Sequence, residues 1–410
     1  MLQIVDVETQ PVEAYEPMIG REAVEELLEL GRALRGAKVV QLNATAYGGG
    51  VSELLRSMIP IYRGLGIEAE WQVITGDDAF FEVTKGLHNA LQGGDFKLGE
   101  EALREYVEHS RRNAEALEGD WDFVIVHDPQ PLGMRHFLPN HGGRWIWRCH
   151  IDTSSPNPRA VEMLGPYVEE HDALVFTLPE FAPEAWEHEV IRTMAPGIDP
   201  LSPKNMDLPQ QVHEQIALWL AVDTARPVVT QVSRFDTWKD PLGVVEVFRT
   251  VRDEVDGLQL ALLGSMALDD SEGWNLYERI REEAVGDRDI HVATNMTGVS
   301  NIEVNAFQRL SDVVIQKSIR EGFGLVVSET LWKETPVVAG RAGGIPVQMP
   351  EGTGGVLATT NEEYVEGILR LLRDPDLARD LAEKGREHVR ENFLITRLVA
   401  DELKLLRELS

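Results

Sequence analysis

Short apolar runs alternate with helical stretches along almost the whole chain. The run KVVQLN (38–43) is followed by the amphipathic stretch VSELLRSMIPIYRGLG (51–66) and then by the run AEWQVI (69–74). A strand, a helix and a second strand in this order predict a parallel sheet, because parallel strands need a long crossover connection. The chain is therefore expected to be an α/β protein.

The alternation occurs in two series. Between them lies MAPGIDPLSPKNMDLPQ (194–210), which is rich in proline and polar residues and is typical of an interdomain linker. The second series begins at PVVTQVSRFD (227–236), and the last 45 or so residues are almost wholly helical by period. We predict two doubly wound Rossmann-like domains, residues 1–205 and 206–392, with a C-terminal helix at about 393–410 that packs back on the first domain. In such sheets ligands bind beyond the carboxyl ends of the strands.

The composition limits the classes of ligand that the chain is expected to bind. The 410 residues carry a net charge of −30, which opposes binding to nucleic acid and to anionic lipid. The single cysteine, Cys149, excludes an internal disulfide and a cysteine zinc cluster. The first residues lack the basic start and the apolar run of a signal peptide. No apolar run reaches the ~20 residues that a membrane helix needs. We expect small-molecule substrates, no nucleic acid, no membrane, a cytoplasmic location, and either a monomer or a homodimer.

The stretch EGFGLVVSE (321–329) joins a predicted strand to a predicted helix. Gly322 and Gly324 allow a close backbone approach, and the first turn of the helix has free amide donors. Glu321 in the loop and Glu329 on the second turn suit the paired hydroxyls of a sugar or ribose. A glycine-bent loop with one solvated glutamate and one favourable helix-terminus charge is an equal alternative.

Two other loops follow the first strand of each series. SRFDTWKDP places Arg234 and Lys239 at the carboxyl end of a strand, where their side chains could bind phosphate oxygens. Basic side chains on loops are, however, more often solvated surface. NATAYGGGVSELL places Gly48, Gly49 and Gly50 before a helix, where either a ligand or a simple tight turn accounts for them. Neither standard phosphate fingerprint occurs, so hydrolysis of nucleoside triphosphates is disfavoured.

Polar side chains also follow two other strands of the first series. HDPQPLG and RCHIDTSSPN place His127, Asp128, His150 and Asp152 just past the strand ends, where all four are expected to face the ligand edge. No serine triad motif occurs. We predict no metal site, since His188 and His213 are each followed by Glu but lack the second histidine of H-E-x-x-H.

Together these motifs resemble the retaining nucleotide-sugar glycosyltransferases of GT-B architecture, in which two Rossmann-like domains face a cleft. The segments QKSIREGFGLVVSETLWKETPVVAGRAGGIP and RCHIDTSSPN are most similar to the glycosyltransferring trehalose synthases, with the trehalose phosphorylases as near relatives. The resemblance covers the chain from about residue 35.

The resemblance implies a role for each matched residue. Arg234 and Lys239 would bind the diphosphate and stabilise the departing charge. Glu321 would hold donor glucose hydroxyls, and Glu329 would hold the ribose. The remaining implied donor contacts are Gly50, His150, Gly322, Phe323, Gly324, Leu325 and Val326. Asp152 and Asp128 would face the acceptor.

The implied reaction joins nucleoside-diphosphate glucose and glucose into α,α-trehalose, reversibly and with retained configuration. No cofactor is implied, although Mg²⁺ is compatible with the diphosphate. Trehalose phosphorylase and, less well, a nucleotide-sugar epimerase remain alternatives. The base preference stays open, with Asn295 in the loop TNMTGVS as a weak candidate contact.

Overall fold

The structure of the protein is a computed structural model that describes residues 1–97, 99–266 and 271–410. It divides into two compact units. Unit 1 comprises Met1–Gly197 with Ile395–Ser410, and unit 2 comprises Ile198–Leu394. Within the described ranges, no helix is both long and apolar enough to cross a membrane.

Unit 1 is built on a seven-stranded sheet of order β1-β3-β2-β4-β5-β6-β7. β1 is antiparallel to β3, and the other neighbours are parallel. The strands are β1 (Gln3–Val5), β2 (Lys38–Asn43), β3 (Glu68–Val73), β4 (Phe123–His127), β5 (Arg144–Cys149), β6 (Ala173–Phe176) and β7 (Ile191–Thr193). The helices between them are α1 (Glu16–Ala33), α2 (Gly50–Gly64), α3 (Asp78–Leu91), α4 (Glu100–Ala116), α5 (Pro129–Leu132) and α6 (Pro158–Val168).

Both faces of this sheet are covered. Val39 and Ile125 lie in the hydrophobic core on one face, whereas Val40 and Val126 lie in the core on the other. Neighbouring residues of a strand point to opposite faces, so a strand buried on both faces becomes an almost continuous apolar run. That is why β4 is apolar up to His127, and why Val39, Val40 and Leu42 of β2 are all completely buried.

Unit 2 is built on a fully parallel six-stranded sheet of order β10-β9-β8-β11-β12-β13. The strands are β8 (Val228–Arg234), β9 (Gln259–Ser265), β10 (Ile290–Thr294), β11 (Val313–Gln316), β12 (Val337–Gly340) and β13 (Gly355–Ala358). The helices are α7 (Gln210–Trp219), α8 (Pro241–Arg252), α9 (Ser271–Ala284), α10 (Asn301–Leu310), α11 (Leu325–Trp332), α12 (Ile345–Gln348), α13 (Asn361–Arg373) and α14 (Pro375–Asn392).

The last helix, α15 (Ile395–Leu409), returns to unit 1, where it packs beside α1 and α2. Leu398, Leu403 and Leu406 on this helix are completely buried. Their spacing places them on one helical face, so burial of that face fixes the helix on unit 1. The predicted α/β architecture and the predicted return of the C-terminal helix are confirmed.

The domain boundary differs from the predicted one. The proline-rich stretch predicts a boundary after residue 205, whereas the units divide after Gly197. Ile198 already belongs to unit 2, because its amide donates to the Phe393 carbonyl at 2.8 Å. Asn305 Nδ2 on α10 also donates to the Pro203 carbonyl at 3.0 Å. The proline-rich segment is therefore bonded to unit 2 over much of its length. The C-terminal helix predicted at about 393–410 is α15, Ile395–Leu409.

Candidate functional site

The predicted cationic loop and the predicted glutamate loop follow neighbouring strands of unit 2. β8 pairs in parallel with β11, so the carboxyl ends of both strands lie at the same edge of the sheet. Arg234 is the last residue of β8, and Lys239 ends a 3-10 turn just beyond it. Glu321 lies in the loop between β11 and α11. Sheet topology thus brings these two motifs together.

Lys239 Nζ forms an ion pair with Glu321 Oε2. Both side chains are largely buried, with exposed fractions of 15% and 13%. Ser318 Oγ also donates to Glu321 Oε2 at 3.1 Å, and Asp236 Oδ1 accepts from the Lys239 amide at 3.1 Å. Each partner of the pair is therefore held by its own loop, Lys239 through its backbone and Glu321 through its carboxylate.

Arg234 is far more accessible than Lys239. Its side chain is 68% exposed, and Nη2 lies 3.3 Å from Asp236 Oδ2. Burial raises the pKa of the Asp236 carboxyl, while Arg234 and Lys239 oppose that rise. The guanidinium has donors to spare for an anionic ligand.

Sequence reasoning missed a second ion pair at this edge. Lys317 Nζ, just after β11, is paired with Asp240 Oδ2 at the start of α8. Lys317 stands directly after β11, so it lies at the carboxyl end of its strand, as Arg234 does at the end of β8. A basic residue at a strand's carboxyl end was the available signal.

The glycines in and beside the loop between β11 and α11 are required for different structural reasons. Gly324 adopts φ 83°, a left-handed conformation that favours glycine, and caps α11. A Cβ at Gly343 would lie 1.7 Å from the Glu321 carbonyl oxygen, so this neighbouring glycine lets the backbone approach the loop. Phe323 is buried against Phe393, with ring centroids 5.3 Å apart. The amides of Leu325 and Val326, in the first turn of α11, have no preceding helical carbonyl to bond.

Glu329 is buried on the second turn of α11, with an exposed fraction of 3%. Lys204 Nζ lies 3.3 Å from its Oε1, whereas Oε2 is buried and takes no hydrogen bond from the described residues. A buried carboxylate oxygen without a donor is costly. The site is thus built to receive a further hydrogen-bond donor. Lys204 comes from the proline-rich segment, and sequence reasoning did not select it.

Lys333 lies one turn after Glu329 and is also buried. Its Nζ donates to the Glu329 carbonyl at 2.7 Å and to Asn205 Oδ1 at 2.8 Å. Burial lowers the pKa of Lys333 from 10.5 to about 7, although Glu329 opposes this shift.

Asn295 has a structural partner on both sides of its amide. Its Oδ1 accepts from the Met266 amide at 2.8 Å, and its Nδ2 donates to the Met266 carbonyl at 3.0 Å. These bonds tie the end of β9 to the turn after β10. A contact between this side chain and a nucleotide base would have to compete with them.

The glycine loop of unit 1 lies between β2 and α2. Gly48 has φ 73°, and Gly50 is the first residue of α2. A Cβ at Gly48, Gly49 or Gly50 would meet nothing within 4 Å. Packing therefore gives no reason for the absence of side chains at Gly49 and Gly50.

Three polar residues at the carboxyl ends of β4 and β5 form one hydrogen-bonded group, and the first of them, His127, is still the last residue of β4. His127 Nδ1 lies 2.8 Å from His150 Nε2, and the His150 amide donates to Asp128 Oδ1 at 2.8 Å. Asp128 has φ 62°, a strained conformation for a residue other than glycine. Burial raises its carboxyl pKa to about 7. Asp152 lies further along, where its Oδ1 accepts from the Ser154 amide at 3.0 Å and from Ser154 Oγ at 2.6 Å.

Behind these histidines lies a buried polar cluster that the sequence analysis did not predict. Arg148 Nη1 pairs with Glu402 Oε2 at 2.7 Å, and Tyr62 and Gln41 both donate to Glu402 Oε1 at 2.6 Å. Gln41 and Arg148 interrupt apolar strands, and this was the one available signal. Their partner on α15 is remote in sequence.

One set of side chains in the described residues has donor atoms close enough to hold a metal ion: Asp77, Glu105 and His109 in unit 1. His109 Nε2 lies 2.9 Å from Glu105 Oε1 and 3.5 Å from Asp77 Oδ2. Asp77 also caps α3 through the Phe80 amide. The set therefore combines the cap of α3 with two residues one turn apart on α4, which accounts for their proximity.

Comparison with known proteins identifies the family. The chain is 50% identical to a trehalose synthase of Rubrobacter xylanophilus over 100% of this chain and 99% of that protein. It is 44% identical to a trehalose synthase of Pyrococcus horikoshii over 97% and 96%. The chain belongs to the trehalose synthase family. Residues 41–183 match the family described as "Trehalose synthase, N-terminal domain", and residues 219–388 match "Glycosyl transferases group 1". The protein is therefore a trehalose-related glycosyltransferase, as the resemblance predicted.

More distant relatives agree with this assignment. A trehalose phosphorylase of Pleurotus pulmonarius is 26% identical over 92% of this chain, which spans 58% of that protein. Among solved structures, a UDP-forming α,α-trehalose-phosphate synthase of Burkholderia xenovorans superimposes with a TM-score of 0.73 at 13% identity, over 90% of this chain and 100% of that one. Sucrose-phosphate synthase of Thermosynechococcus elongatus gives 0.70 at 16% identity, over 91% and 99%. These structures confirm the GT-B fold.

Proposed function

We propose that the enzyme transfers glucose from a nucleoside-diphosphate α-glucose to free glucose, giving α,α-trehalose and the nucleoside diphosphate with retained configuration. The observation that carries this proposal is the grouping of Arg234, Lys239 and Glu321 at one edge of the unit 2 sheet, with the buried Glu329 on α11, the helix that follows the Glu321 loop. Side chains suited to binding a diphosphate therefore accompany carboxylates suited to binding hydroxyls. The identity to two trehalose synthases supports the same reaction.

Arg234 and Lys239 would bind the diphosphate. The bond between glucose C1 and the phosphate oxygen breaks in the reaction, and negative charge grows on the leaving diphosphate. Fixed cations stabilise that charge without reorganising during the reaction. Lys239 is held by Glu321 and by the cap at Asp236, so its position is set before the donor binds.

Glu321 and the start of α11 would hold the donor glucose. Glu321 Oε2 is already used by Lys239 and Ser318, which leaves Oε1 to accept from a sugar hydroxyl. The amides from Gly322 to Val326 would donate to sugar or phosphate oxygens, as helix N-termini do. The side chain of Phe323 packs internally, so this residue would contribute its backbone.

Glu329 would bind the ribose of the nucleotide. Its buried Oε2 lacks a donor among the described residues, and a ribose hydroxyl supplies one. Lys204 keeps Oε1 occupied, so the carboxylate presents one oxygen to the ligand.

Unit 1 would supply the remaining groups. His150 and Gly50 would meet the donor, while Asp128 and Asp152 would orient the acceptor glucose. The acceptor's anomeric hydroxyl attacks C1 from the face that the diphosphate leaves, and its proton passes to the departing phosphate oxygen. No separate nucleophile or cofactor is then required.

A product assay tests the proposal. The purified enzyme is given ADP-, UDP- or GDP-glucose with free glucose and no phosphate, with and without EDTA, and trehalose and nucleoside diphosphate are quantified. We expect equal amounts of both products with at least one donor. Absence of trehalose together with phosphate-dependent cleavage of added trehalose would instead establish a phosphorylase, the activity of the Pleurotus relative.

A further inference from the structure

A line of hydrogen bonds crosses the buried interior of unit 1 and ends at His150. Glu402 Oε1 on α15 accepts from Gln41 Nε2 on β2 at 2.6 Å. Gln41 Oε1 lies 2.6 Å from His127 Nε2 at the end of β4, and His127 Nδ1 lies 2.8 Å from His150 Nε2. Four side chains from four parts of the chain thus form one continuous series.

The direction of the series is set at Glu402. Its carboxylate pairs with Arg148, and both side chains are almost fully buried, with exposed fractions of 3% and 2%. An ionised carboxylate only accepts hydrogen bonds. Gln41 must therefore turn its NH₂ group toward Glu402 and its carbonyl oxygen toward His127.

Each following ring then has one allowed arrangement. Because Gln41 offers His127 an acceptor, His127 must donate from Nε2. Burial and the positive charge of Arg148 lower the pKa of His127 and of His150, so each neutral ring carries one proton. His127 Nδ1 is consequently an acceptor, and His150 must donate to it from Nε2.

The ring geometry fits such a bond. The two imidazole centroids are 5.1 Å apart with an interplanar angle of 18°, while the facing nitrogens are 2.8 Å apart. The rings therefore meet edge to edge in nearly one plane, which aligns an N–H with the opposite lone pair.

We propose that Glu402, acting through Gln41 and His127, holds His150 in the Nε2–H tautomer, so that His150 Nδ1 is a permanent hydrogen-bond acceptor for a sugar hydroxyl. Gln41, His127 and Glu402 are positioning residues, and His150 is the group that touches substrate. The contact with substrate rests on the proposed function, whereas the tautomer does not. His150 is partly exposed, and Nδ1 takes no hydrogen bond from the described residues.

The tautomer is measured directly on the full chain without substrate. Protein labelled with ¹⁵N-histidine is studied by long-range ¹H–¹⁵N NMR, and the signals are assigned with His127→Gln and His150→Gln. We expect both rings to show a protonated Nε2 and an unprotonated Nδ1. A proton on His150 Nδ1 would overturn the proposal, whatever the enzyme's substrate.

A variant tests the origin of the tautomer. Gln41→Met removes the link but keeps Glu402, Arg148 and Tyr62 in place. It should mix the tautomers of both histidines and lower kcat/KM for trehalose synthesis by about fivefold to tenfold. Gln72→Met is the control, since Gln72 lies on the neighbouring β3 and donates to Glu70 instead. Unchanged histidine signals in Gln41→Met would contradict the relay.

Substrate analogues test the acceptor role. Donors are compared in which each glucose hydroxyl in turn is replaced by hydrogen or by fluorine. Fluorine cannot donate a hydrogen bond, so at the hydroxyl that meets His150 both replacements should cost the same. If fluorine restores activity at every position where hydrogen abolishes it, His150 donates and the proposal is wrong.

Discussion

Lys239 and Glu321 are paired across the loops that follow β8 and β11, although 82 residues separate them in the chain. The two strands are neighbours in a parallel sheet, so the pair stands at the edge where such sheets bind ligands. An internal carboxylate thus holds the ammonium before any diphosphate arrives. The proposed roles of Lys239 and of the nearby Arg234 can therefore be tested directly by substitution.

Lys239→Ala and Arg234→Ala should each lower kcat of trehalose synthesis by about 10² to 10³-fold, because each removes a fixed charge that stabilises the leaving diphosphate. Steady-state rates at saturating donor measure this. Arg249→Ala is the matched control, since Arg249 forms an exposed pair with Glu283 in the same unit. Equal kcat values for Lys239→Ala and Arg249→Ala would exclude the proposed role.

Glu329→Gln should raise the donor KM by about tenfold to a hundredfold, because a hydrogen bond to a charged group contributes about 1.5–3 kcal/mol. Donors that lack the ribose 2′- or 3′-hydroxyl identify the contact. One of these deoxy donors should bind the wild-type enzyme more weakly than the parent donor does. The same deoxy donor should bind Glu329→Gln and the wild-type enzyme almost equally. If both deoxy donors lose the same affinity in both proteins, Glu329 does not hold the ribose.

Gly50→Ala should separate ligand binding from folding. A Cβ there meets nothing within 4 Å, so the free energy of unfolding should stay constant or rise by up to about 1 kcal/mol. The donor KM should rise, because the methyl group occupies space that the ligand approaches. Gly64→Ala on the same helix is the opposite control: its Cβ would lie 2.1 Å from the Gln10 carbonyl oxygen, and stability should fall by about 1–3 kcal/mol. An unchanged donor KM in Gly50→Ala would remove this loop from the site.

Lys333 should make stability depend on pH. Its pKa falls from 10.5 to about 7 on folding, so between these values the unfolded chain binds a proton that the folded chain does not. The free energy of unfolding should therefore rise from pH 7 to 10.5, by up to about 1.4 kcal/mol per pH unit. Below pH 7 the lysine is protonated in both the folded and the unfolded chain, so it adds no pH dependence to the free energy of unfolding. Urea denaturation across this range should show a smaller slope for Lys333→Met than for wild type.

The exposed Lys384, paired with Asp380 on α14, provides the control for that experiment. Lys384→Met should leave the pH slope of wild type unchanged. A Lys333→Met slope that equals the slope of Lys384→Met would show that Lys333 is not the origin of the effect.

Much of the fold was predictable because the local periodicity of apolar residues indicates the strands and helices. Apolar runs such as KVVQLN and DFVIVHD correspond to β2 and β4, and the motifs around Arg234, Glu321 and His150 follow strands as expected. Strands that are buried on both faces are rich in apolar residues, which makes them visible in sequence. The order of strands and loops then places candidate residues at a sheet edge.

The sequence by itself determined the α/β class, the two units and the loops that carry the candidate chemistry. Only the tertiary structure decided which polar groups meet: Gln41 with Glu402 across 361 residues, and Lys204 of the supposed linker with Glu329. It also moved the unit boundary to Gly197, because the following segment is hydrogen-bonded into unit 2. The physical reason is that periodicity reports the environment of each residue, whereas the identity of a buried polar partner depends on which elements pack together. Buried polar groups must be paired, and the partner is chosen by the fold.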